Sequence, residues 1–322
     1  MMIDPESAKK YTLLVGRIVF VLTALAFGMW SISRNWSAVA SALQEIDFVR
    51  IGMALALVLV GLTLAAGSFS VLLSDVGYPR PIKVGLTIFF LGSLGKYIPG
   101  SIWFLAAQAD LARRAGVPPR KAITVGLLVV YWALLSATTL GALAVGLSTG
   151  LPRIPQWIMF VGAVLAAVGL APRVVNWWAR RLSGERHLPP PSIRTTWNLA
   201  LLFAGVWILN GLAIAVLVGG ADSGGFAALF VIGLGAFALS FAVGLIMPLA
   251  PAGLGLREGA LVLLLIPSVG VGMAVVAATT MRLIHLIGDF GCAGAAWLFG
   301  RGSLVAASMA DDPLAPGHSA HE

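Results

Sequence analysis

Six ionisable residues stand inside sequence that is otherwise oil-soluble: Lys96, Arg257, Glu258, Arg282, His285 and Asp289. A charged side chain at the centre of a bilayer costs roughly 2.5–3.5 kcal/mol or more, so something must hold each one there. Cations at that depth can pair with phosphate, arginine through a planar fork and lysine as a point charge. Arg282, His285 and Asp289 follow one another at spacings of three and four, which puts them on one face of a helix. An acid beside a histidine in a membrane can relay protons. The same set can equally form an internal ion-pair network, with Asp289 and Glu258 balancing Arg282 and Arg257.

Two interrupted segments surround these groups. The first is Gly95-Lys96-Tyr97-Ile98-Pro99-Gly100-Ser101-Ile102-Trp103, and the second runs from Pro248 through Pro251, Ala252, Gly253, Leu254 and Gly255 to Arg257 and Glu258. Broken backbone survives in hydrocarbon only where protein buries it or a wet cavity touches it. Breaks in corresponding places of two half-molecules point to a transporter's binding site. The candidate binding residues are therefore Lys96, Tyr97, Pro99, Gly100, Ser101, Trp103, Pro251, Gly253, Gly255, Arg257 and Glu258. Freed amides near Gly100 and Gly253–Gly255 add donors for an anion. Tyr97, Ser101 and Trp103 suit headgroup hydroxyls or the membrane interface.

The elements that must position these groups are helices. Of 322 residues, 59% are hydrophobic and only 11% charged, and the mean hydropathy is +0.96. That composition excludes a soluble globular domain. The net charge of +8 is not a nucleic-acid signal, because no basic stripe alternates with exposed aromatics. The single Cys292 can form no internal disulfide. Without a His-Glu-x-x-His motif or a cysteine pair, neither a metal nor a cofactor is expected. Asp289-Phe290-Gly291 lacks any kinase context, and Gly253-Leu254-Gly255 lacks the strand and spacing of a dinucleotide fold.

Apolar segments cover 13–33, 51–74, 84–112, 122–148, 155–172, 196–219, 226–247, 256–267 and 272–299, with the longest polar loop at 173–195. Charge sets their topology. If 84–112 enters the membrane and turns back at Tyr97-Ile98-Pro99-Gly100, nearly all basic loop residues share one face. These are Lys9, Lys10, Arg17, Arg80, Lys83, Arg113, Arg114, Arg120, Lys121, Arg173, Arg180, Arg181, Arg186, Arg194 and Arg301. Arg34, Arg50 and Arg153 fall on the other face. The positive-inside rule makes the basic face cytoplasmic, with both termini there. The expectation is an all-α polytopic membrane protein of six full spans and two re-entrant hairpins. Residues 1–302 form one membrane domain, with inverted halves at about 13–148 and 155–299. Helix 226–247 is long enough to cross, so a broken span stays open as the alternative to the second hairpin. Residues 303–322 read as a disordered cytoplasmic tail.

At Leu94–Trp103, at Arg113-Arg114-Ala115-Gly116-Val117 and at Pro248–Ala260 the chain resembles the lysylphosphatidylglycerol synthase transmembrane-region family, over about 15–300. That resemblance implies movement of a lipid, or of a lipid-linked sugar, between leaflets of the cytoplasmic membrane. Lipid-aminoacylating members carry a soluble catalytic domain after this region. Here only a short tail follows the last helix, so no enzyme activity is expected. The implied cargo is an anionic phospholipid or a polyprenyl-phosphate-linked glycolipid, because Lys96, Arg257 and Arg282 supply positive charge. Two other readings stay open. One is a non-transporting membrane partner of an envelope glycosyltransferase or lipid synthase. The other is an intramembrane lipid-modifying enzyme with Glu258 or Asp289 as base. Oligomeric state is not legible.

Overall fold

A chain in hydrocarbon must satisfy each backbone N–H and C=O internally, and a helix does so within one segment. The computed structural model describes residues 36–98, 102–148, 155–183, 192–219, 225–246 and 251–310, and these contain helices and no strands. The expected first span, 13–33, and Pro99, Gly100 and Ser101 lie outside the described residues. In order, the helices are α1 (Trp36–Glu45), α2 (Phe48–Asp75), α3 (Ile82–Ser93), α4 (Trp103–Arg114), α5 (Pro119–Leu147), α6 (Gln156–Gly169), α7 (Pro172–Ser183), α8 (Ile193–Val218), α9 (Phe226–Ile246) and α10 (Leu256–Ala310). Short 3-10 turns occupy Leu94–Tyr97 and Pro251–Gly253, at the two breaks. Helices α2, α5, α8 and α9 are each long and apolar enough to cross a membrane. The protein is a multi-pass, all-α membrane protein.

At the centre α2 and α8 run antiparallel. Gly61 faces Asn210, Gly205 faces Leu64, and Gly67 faces Leu202. At one end Thr195 Oγ1 donates to Asp75 Oδ1 at 2.7 Å. Small residues allow this close approach, which carries helix association where lipid removes the usual hydrophobic drive. Nearby, the Trp207 indole N–H donates to Ser136 Oγ at 2.9 Å, and Trp132 stacks on Phe203.

Segment 84–112 is not a straight crossing. Helices α3 and α4 have 12 residues each, about 18 Å at 1.5 Å per residue, against roughly 30 Å of hydrocarbon. They fold back on each other. Gly92 abuts Gln108, and Gly95 abuts the backbone of Phe104. The open ends of this hairpin are joined where Arg80 Nη2 donates to Gly116 O at 3.3 Å. The chain entering α3 and the chain leaving α4 therefore share one end of the bundle. That places Lys83 and Arg113 on the same side, as the distribution of charge required.

The second half differs from expectation in three places. Helix α6 has only 14 residues, and the chain then bends by 63° into α7. Segment 155–172 therefore spans only if both limbs contribute. Helix α7 occupies sequence that reads as a polar loop. It is amphipathic, with Val175 and Ala179 buried while Trp177 and Arg180 face outward. Its arginines mask that pattern in composition, but the apolar residues recur at helical spacing. Helix α10 is broken at Gly270, whose φ of 76° and ψ of 167° are not helical, in the gap expected between segments 256–267 and 272–299. Glu258 meets Arg282 across this break, so 256–269 folds back on 271–310. Helix α9 is itself long enough to cross, whereas the 256–269 limb is not. The final helix runs to Ala310, into the segment expected to be a disordered tail.

The contacts interchange between halves. α5 packs on α9 as α10 packs on α3, α8 packs on α9 as α2 packs on α3, and the two 3-10 turns touch. A topology test follows. In a Cys292→Ser background, single cysteines replacing the exposed Pro79 and Arg120 should react identically with an impermeant thiol reagent on intact cells. Opposite behaviour would rule out the α3–α4 hairpin.

Candidate functional site

Each break exists because the local sequence cannot continue a helix. Beyond Tyr97, Ile98 is extended, with φ −83° and ψ 130°, the conformation imposed on a residue before proline. In the second break Ala252, Gly253 and Gly255 all have positive φ, at 50°, 70° and 86°. Glycine adopts this region freely, and alanine does so only under strain. Gly253 also lies against the end of α9, where a methyl group on it would sit 2.9 Å from Gly244 Cα.

Glu258 is the third residue of α10. Its Oε2 accepts the Gly255 backbone N–H at 2.7 Å, the returning half of a capping box. Its Oε1 lies 3.3 Å from Arg282 Nη1. That pair lacks hydrogen-bond geometry, and Oε1 is buried with no hydrogen-bond partner among the described residues. Arg282 Nη1 also donates to the Ala252 carbonyl at 3.1 Å. The strained Ala252 backbone thus aims its oxygen at Arg282.

The first break reaches the last helix through Asp289. Lys96 Nζ lies 2.6 Å from Asp289 Oδ2, and the Tyr97 hydroxyl donates to the same oxygen at 2.5 Å. The Tyr97 ring stacks on Phe290 with centroids 5.6 Å apart. The Asp289 side chain is 4% exposed and that of Lys96 is 35% exposed. One partner is sealed in protein and the other can be approached from outside.

Arg257 has a different setting. Its guanidinium carbon lies 4.7 Å from the Phe237 ring centroid and 5.3 Å from that of Phe241. No carboxylate lies within 4 Å of it among the described residues. His285 stacks on Phe237 at 5.2 Å, and its Nδ1 sits 2.8 Å from Met281 O. Arg257, Glu258, Arg282, Phe237 and Met281 line one cavity of about 10 Å³, room for roughly one water.

The structure thus brings Lys96, Tyr97, Gly253, Gly255, Arg257, Glu258, Arg282, His285 and Asp289 to the meeting of the two breaks. Trp103 opens α4 and is half exposed. Pro251 begins the second 3-10 turn. The ion-pair network expected from the sequence is rearranged. Asp289 is matched by Lys96 rather than by a cation on its own helix, and Glu258 is matched by Arg282 rather than by its neighbour Arg257. Phe237 and Phe241 escape sequence reasoning because phenylalanines in a membrane helix read as lipid-facing or core. Their i, i+4 spacing beside an unpaired arginine is the only available signal. Gln108 is buried between Gly92 and Gly126. Asn210 donates to Val206 O on its own helix at 2.8 Å. No group of three or more metal-type ligands occurs among the described residues.

Crossing helices, two touching breaks and a charged cluster between them define a polytopic helical membrane protein with an internal polar site. The chain belongs to the lysylphosphatidylglycerol synthase TM region family, which matches residues 14–290. No curated protein matches it.

The tie between the breaks should be asymmetric. Lys96→Met strands a buried carboxylate and should destabilise by about 1–3 kcal/mol, whereas Asp289→Asn leaves a lysine that can reach water. The double variant should recover most of the loss, read as thermal unfolding of the purified protein. Additive losses would show that the pair is not coupled. Gly253→Ala should cost about 1–3 kcal/mol from its positive φ and its contact with Gly244.

Proposed function

We propose that this protein is a flippase-like transporter. It moves an anionic phospholipid or a polyprenyl-phosphate-linked glycolipid between leaflets of the cytoplasmic membrane, with both termini cytoplasmic. The observation that carries this reading is the meeting of the two breaks around three cations and two carboxylates, with Arg257 unmatched. A headgroup cannot cross hydrocarbon without partners for its charge, and these cations are partners that a protein can offer at depth. Lipid tails stay outside while the headgroup enters between the breaks.

The inverted-repeat reading supports the same function. The interchange of helix neighbours and the antiparallel α2–α8 pair suit two halves that rock about a central site. In the conformation described, the cavity lined by Arg257 and Arg282 is the size of one water and admits no headgroup. Access therefore requires the breaks to part, and the Lys96–Asp289 tie is the contact that must open. Lys96 is the exposed member, so a headgroup phosphate can compete for it while Asp289 stays sealed. The protein acts as a carrier and leaves its lipid chemically unchanged.

The test is transfer of a labelled anionic phospholipid in proteoliposomes. Lys96→Ala and Arg257→Ala should each lower the rate about tenfold or more, a loss of roughly 1.4 kcal/mol. Both variants are first shown to be folded by gel filtration. Full activity in both would sink the assignment. A lipid altered in mass after incubation would favour the enzymatic reading, and inactivity of the purified wild type would favour the role of partner to a synthase.

A further inference from the structure

We propose that the site takes a phosphodiester headgroup with one negative charge and a free hydroxyl, in preference to a doubly charged phosphomonoester. This rests on the transport reading above and names its cargo more narrowly.

The first ground is charge. Lys96, Arg257 and Arg282 oppose Glu258 and Asp289, which leaves one positive charge. His285 adds none: its Nδ1–H donates to Met281 O, and its ring shares Phe237 with the Arg257 guanidinium. A second proton on it would place another cation beside one that is already unmatched. Among the described residues the surrounding elements do not alter the sum. Helix α9 has no ionisable residue, and neither do residues 99–101 and 247–250. The ionisable residues of α2, α3, α4 and α8 lie toward the ends of those helices, and Asp110 is matched there by Arg113 and Arg114. In a low-dielectric site one excess positive charge is cancelled by one anion, and a second negative charge is left bare.

The second ground is geometry. Phe237 and Phe241 cover Arg257 closely, and the N–H fork of a guanidinium lies in its plane, the geometry that recognises phosphate oxygens. Arg257 and Arg282 line the same cavity, whose 10 Å³ suits about one oxygen atom. The third ground is Glu258 Oε1, buried beside that cavity without a hydrogen-bond partner. It can accept from a hydroxyl, so an alcohol on the headgroup completes the site. Glycerol and sugar phosphodiesters both meet these terms.

The experiment is native mass spectrometry of the full chain with three lipids of equal tails, run beside the proteoliposome assay. Phosphatidylglycerol has one charge and hydroxyls, phosphatidylmethanol has one charge and no hydroxyl, and phosphatidate is a phosphomonoester. Work at about pH 9 keeps phosphatidate largely doubly charged, because the second pKa of a phosphomonoester, about 6 on a side chain, is raised at an anionic lipid surface. The wild type should bind phosphatidylglycerol about tenfold over phosphatidate and more tightly than phosphatidylmethanol. Asp289→Asn raises the site charge by one and should move the preference toward phosphatidate. Arg257→Gln removes the excess and should abolish the preference for phosphatidylglycerol over zwitterionic phosphatidylethanolamine. If Asp289→Asn does not fold, Arg257→Gln decides alone. Equal or tighter phosphatidate binding by the wild type, or ratios unchanged in the variants, would overturn the inference. Transport without charge preference would overturn it and leave the transport reading standing. Preference without transport would do the reverse.

Discussion

The contact on which the site depends is the shared oxygen of Asp289. Lys96 and Tyr97 both reach Oδ2, so one carboxylate on the last helix fixes the first break. Without these partners Asp289 is a sealed charge, and its burial carries a cost of several kcal/mol. Removing the pair from both sides together is a smaller perturbation than removing Lys96 alone. Buried ion pairs are weak sources of net stability, and their best-attested value is to select one arrangement over another. Here the arrangement selected is the closure of two breaks that come from distant parts of the chain.

The second acid is divided among several tasks. Glu258 caps its own helix through Gly255 N–H and faces Arg282, while Arg282 holds the carbonyl of Ala252. The strained turn, the helix start and the last helix are thus one connected unit. With Asp289 matched by Lys96 and Glu258 turned to Arg282, the Arg257 guanidinium lies against the Phe237 and Phe241 rings with no carboxylate within 4 Å among the described residues. Its isolation follows from the other pairings, and so does the excess charge of the site. Glycines at 244 and 253 let this unit press against the end of α9, which brings Phe237 and Phe241 within reach of Arg257.

The helical class, the hairpin at 84–112 and the two breaks were legible because each leaves a one-dimensional trace. Long apolar runs, basic loop residues and helix breakers need no partner to be recognised. The pairings inside the site were not legible. Lys96 and Asp289 are 193 positions apart, and nothing in composition says which acid faces which base. Helix α7 was hidden because arginines at 173, 180 and 181 dominate a segment whose buried residues are few. Segment 155–172 reads as a complete crossing by hydropathy, yet its helix ends at Gly169, after which Leu170, Ala171 and Pro172 lead into the bend. The fold-back at Gly270 did leave a trace, as the gap between the apolar segments 256–267 and 272–299.

On the proposed transport function, a site built this way carries its closing contact and its binding charge on different residues. Lys96 is half of the closure and is also the cation nearest to the outside, whereas Arg257 lies deeper and takes no part in the Asp289 tie. An anion arriving at Lys96 competes with Asp289 before it meets Arg257. Loosening the tie leaves Asp289 short of a counter-charge, so the open state is disfavoured unless the incoming anion is carried inward to Arg257 and Lys96 returns to Asp289. Under that proposed function the order of contacts favours passage of the anion over retention at the entrance. That follows from three cations, two carboxylates and their unequal exposure.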